Sequence, residues 1–181
     1  MSDYDFYVVD ELEKIAVNLF YGWGYNFYRL ENQLRADDLT VRAKVGGLLG
    51  LARASVETAE SAYRRERLLE PTREKPLPDA DAVTGARMLE GMSKEIGALE
   101  GQIRAQPAPE NDRMTQRYRH ETATLQHLLS CDMAMAGRAE MLRAMLDHKD
   151  GAWMIAKSAE IRAALGSVEA ALRDRQMALV V

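Results

Sequence analysis

DDLTVRAKVGGLLGLARASVETAESAYRRERLLEP, residues 37–71, is the stretch whose periodicity decides the fold. Val45, Leu49, Ala52, Val56, Ala59 and Tyr63 recur at intervals of three and four, which lines one face of an α-helix and does not fit the two-residue repeat of a strand. Asp37 and Asp38 are the expected N-caps and Pro71 the expected stop. A helix of about 35 residues is about 50 Å long, and its stripe can be covered only by other long helices.

Those helices are legible on both sides. PTREKPLPD, residues 71–79, holds three of the five prolines and reads as a loop ending in a capping Asp79. Val83, Leu89, Met92, Ile96, Leu99 and Ile103 then form the inward face of a further helix. QPAPEND, residues 106–112, carries the remaining two prolines, and a helical pattern runs from about Asp112 to Leu146. After a DHKDG turn, residues 147–151, Met154, Ile161, Leu165, Val168 and Leu172 predict one last helix in heptad spacing. Toward the N-terminus, Leu12, Ile15, Ala16, Leu19, Trp23, Phe27, Leu30 and Leu34 fall on one stripe of a helix from about Tyr4 to Leu34. The expected fold is all-α, an elongated antiparallel helical bundle of about five long helices, with interhelix loops near 71–79 and 106–112. Its 181 residues suit one domain spanning 1–181, and a chain of that length buries roughly 70% of its unfolded surface.

Composition narrows the function classes. A net charge of −4 and a pI near 5.5 oppose nucleic acid as a partner, because phosphate binding needs a concentrated positive field. Residues 1–38 hold eight acidic and three basic groups, so the N-terminal region is the acidic part of the chain. No run approaches the roughly 18 apolar residues of a membrane helix, and no basic-then-apolar leader opens the sequence. Cys131, the single cysteine, excludes an intramolecular disulfide. The expected location is cytoplasmic, with no membrane partner.

The tempting chemical motifs fail on spacing. His120-Glu121-Thr122-Ala123-Thr124 begins like a zinc HExxH helix but has threonine in place of the second histidine. None of His120, His127 and His148 has a glutamate three residues before it, as di-iron bundles require. Gly22-Trp23-Gly24-Tyr25-Asn26-Phe27 has phenylalanine in place of the third glycine of a dinucleotide loop, and it follows no strand. His127 and Cys131, one helical turn apart, could share a soft metal only if another helix or a second subunit completed the set. No metal, cofactor or catalytic residue is therefore expected, and no recognised catalytic motif marks an enzyme. Glu121 and Asp132 fall on the apolar face with Tyr118, Leu125, Leu129 and Ala136, so they read as buried structural polar groups that need cationic partners. Arg64, Arg65, Arg67 and Arg73 read as a solvated helix end. Met133, Met135, Met141 and Met145 could fill core or line an adaptable groove. Gly46, Gly50 and Ala54 form a small-residue ridge on which another helix backbone could approach closely.

Apolar surplus is the positive signal. FYGWGYNFY, residues 20–28, concentrates six aromatics in a chain that is 7% aromatic. Trp23 and Phe27 continue the core stripe, whereas Tyr21, Tyr25 and Tyr28 lie on the opposite face. A helix apolar on two faces must be covered on both, and tyrosine suits contact surfaces that are wet before association. The expectation is a non-catalytic protein-interaction module, an assembly factor, adaptor or complex subunit that forms a homodimer, with Tyr21, Tyr25 and Tyr28 as the surface for self-association or for an unidentified protein partner, unless this helix is the central one and both stripes are core. The alternative is a small-molecule or cofactor-binding bundle whose pocket is lined by these aromatics and methionines, with His127 as a possible ligand.

Overall fold

The structure, a computed structural model, describes residues 34–70, 72, 73, 75–106 and 121–180; for 34–39, 121–129, 179 and 180 it describes the backbone alone. The expected helix over residues 4–34 lies outside the described residues, apart from Leu34. Those described are all-α: α1 (Leu34–Arg67), α2 (Ala80–Arg104), α3 (Glu121–Leu146), α4 (Gly151–Ala156) and α5 (Ser158–Val180), with no strand among them. No helix among them is long and apolar enough to cross a membrane.

Local chemistry sets most of the boundaries. Asp79 caps α2, its carboxylate accepting from the Asp81 N–H at 3.0 Å, and Asp150 caps α4 by accepting from the Trp153 N–H at 2.7 Å. At the end of α3 the chain reverses through His148, which adopts the left-handed region at φ 56°. Two boundaries differ from the sequence expectation. First, α1 begins at Leu34, so Asp37 and Asp38 stand within the helix and not at its N-cap. Second, the last helix is two: Lys157, at φ −99° and ψ 15°, leaves the helical well, and α5 restarts at Ser158. The heptad pattern did not reveal this break because Met154 and Ile161 are both fully buried on either side of it.

Two antiparallel hairpins form the body. In the first, Arg53 meets Glu100, Arg64 meets Glu90 and Arg42 donates to the Gln106 carbonyl, so rising numbers on α1 face falling numbers beyond α2. In the second, Asp132 meets Arg175 and the Arg138 guanidinium donates to the Ser167 carbonyl at 2.8 Å, which sets α3 against α5. The hairpins join with α1 beside α3 and α2 beside α5. Gly151, just beyond α3, lies against Ala59 and Tyr63 near the end of α1 and Leu89 of α2, and Arg162 of α5 meets Glu95 of α2 at 3.5 Å. Both contacts place the end of α3 level with the end of α1, so the neighbours across the seam run in the same direction. A continuous apolar core from all five helices fills the interior, including Val45, Leu49, Leu89, Ile96, Met135, Leu142, Met154, Ile161 and Val168, all fully buried or nearly so. Each such side chain stabilises the fold by about 1.5–3 kcal/mol relative to exposure.

The small-residue ridge differs from its expected role. Ala54 is exposed, and a Cβ on Gly46 would stand 3.0 Å from Arg104 Nε while one on Gly50 would stand 3.6 Å from Glu100 Oε1. The glycines therefore make room for an ion pair lying over the α1 backbone rather than for a close helix crossing. Close approach occurs at the other end, where a Cβ on Gly151 would sit 2.9 Å from Tyr63 Cβ and 3.1 Å from the Ala59 carbonyl oxygen.

Candidate functional site

Polar groups buried inside an apolar bundle are the natural starting point for chemistry. On α3, the Asp132 residue is 3% exposed, and Arg175 of α5, 5% exposed, donates from Nε to its Oδ1 at 2.6 Å. Asp132 faces inward because α3 is buried over a broad arc, with α1 on one side and α5 on the other. A short charge-assisted bond of this kind offsets much of the desolvation of both groups. It also ties the carboxylate to a cation that holds its charge, an arrangement suited to fixing helix register rather than to moving a proton.

Cys131 is buried next to Asp132. Burial pushes its thiol above the ordinary value, and the negative charges of Asp132 and Asp174 push it further the same way, against the smaller opposite pulls of Arg175 and Arg138. A thiol held protonated and covered is a poor nucleophile and a poor metal ligand at neutral pH. The side chains of His127 and Glu121 lie outside the described residues, as do Tyr21, Tyr25 and Tyr28. The structure thus brings Asp132 to a cation and Cys131 to its flank, and it brings neither to a histidine among the described residues. Within those residues no three His, Cys, Asp or Glu side chains converge as a metal set.

A second polar group lies along the first hairpin and was only half legible. Glu100, 7% exposed, faces Arg104 at 2.7 Å and Arg53 at 3.3 Å, while the Ser93 hydroxyl donates to Glu57, itself 3.4 Å from Arg53. The i, i+4 spacings of Arg53 with Glu57 and of Glu100 with Arg104 are visible in the sequence, but the link from helix to helix is not. The arginine cluster is likewise divided: Arg64 pairs with Glu60 at 2.7 Å and Glu90 at 3.2 Å, whereas Arg65, Arg67 and Arg73 are exposed. Glu90, partly exposed, is held below its usual value, chiefly by the hydrogen bond from Lys94.

The methionines do not share one surface. Met92, Met135 and Met154 are fully buried, Met133 and Met145 pack against the core, and Met141 and Met177 are 47% and 63% exposed. The outer face of α1 presents Ala43, Gly47, Leu51, Ala54 and Thr58, all exposed and without charge, with Leu51 at 58%. Comparison with protein-family models, curated proteins and solved structures finds no match for this chain.

Proposed function

We propose that this chain is a non-catalytic helical interaction module, acting as one domain in the cytoplasm as an assembly factor, adaptor or complex subunit, and that it self-associates as a homodimer. The observation that carries the proposal is the doubled apolar pattern of the N-terminal region: Leu12 to Leu34 supply one stripe, and Tyr21, Tyr25 and Tyr28 a second on the opposite face. Within the described helices, the use of buried charge supports it. Asp132, Arg175 and Glu100 are engaged in pairs between or along helices, so their chemistry goes into holding the scaffold. The net charge of −4 weighs against a nucleic-acid partner.

Sedimentation of the intact chain and of its Tyr21→Ala/Tyr25→Ala/Tyr28→Ala variant tests this. The expected result is a colourless, metal-free dimer whose association weakens in the variant while its helical circular dichroism is retained. A folded variant with unchanged mass refutes the interface. A stoichiometric metal, a visible absorbance or a copurified small molecule would favour the pocket reading instead.

A further inference from the structure

We draw no further inference here: the strongest candidate, the exposed and charge-free strip of Ala43, Gly47, Leu51, Ala54 and Thr58 along the outer face of α1, carries nothing because nothing in the structure shows what covers it.

Discussion

Removing Asp132 takes from the buried Arg175 guanidinium the carboxylate oxygen 2.6 Å from its Nε, and that loss outweighs the value of the bond itself. Asp132→Ala should therefore lower unfolding stability by about 3 kcal/mol, and the double change Asp132→Leu/Arg175→Met should recover most of it. Denaturant melts of the three proteins decide the point; an unchanged midpoint in Asp132→Ala would contradict the buried pair. Cys131 supplies a pH test with a definite sign. Its thiol is raised in the folded chain, so the unfolded chain releases this proton first as pH rises. The thiol's contribution is complete below the ordinary cysteine range and is lost as pH climbs through that range toward the native value. Stability of the wild type should thus fall more steeply than that of Cys131→Ala between neutral and alkaline pH. Parallel curves would show that the native environment leaves the thiol unperturbed. At this scale the inward direction of Asp132 is legible, because its wheel position among Leu125, Leu129 and Ala136 demands it. Arg175 as its partner is not, since nothing local to α5 singles that arginine out.

Glycine shows how one residue type serves opposite ends in the helices. Gly151 starts α4 wedged between α1 and α2, where a Cβ would meet Tyr63 Cβ at 2.9 Å, Leu89 Cδ1 at 3.0 Å and a backbone oxygen at 3.1 Å. Gly91 in α2 has nothing within 4 Å of such a Cβ. Gly151→Ala should destabilise by about 1–3 kcal/mol through overpacking. Gly91→Ala should stabilise by about 0.5–1 kcal/mol, because alanine loses less backbone freedom on folding. Thermal melts of the two variants should move in opposite directions, and a shift of the same sign in both would overturn the packing assigned to α4. Sequence does not show which of these glycines has room for a side chain: Gly91 stands in a helical pattern and Gly151 in the DHKDG turn, and only the neighbouring helices distinguish their packing. The DHKDG turn misleads in a related way, since its glycine is the packing residue and His148 takes the left-handed conformation that glycine favours. The stop near Lys157 is also silent, as no proline or glycine marks it.

For the whole molecule, helix class and the positions of the described loops follow from periodicity and proline placement, because a 3.6-residue repeat is a local property of the chain. The order of helices in space is not local. The expectation of an antiparallel bundle describes each hairpin, whereas the seam between hairpins sets α1 beside α3 in the same direction. That arrangement depends on contacts between residues more than 60 positions apart, such as Arg162 with Glu95, and the stripes on α1 and α3 would accept either direction. The central claim is therefore the same-direction packing of α1 and α3, and distance measurement between spin labels tests it most directly. Labels on exposed positions, in a Cys131→Ala background, would pair Ala144 of α3 with Thr58 and, separately, with Ala43 of α1. With 1.5 Å of rise per residue, Ala43 and Thr58 differ by about 22 Å along the axis. The account predicts that the Ala144 to Thr58 distance is the shorter, by roughly 10 Å once the lateral separation of the helices is included. A shorter distance from Ala144 to Ala43 would reverse α3 and contradict the fold described.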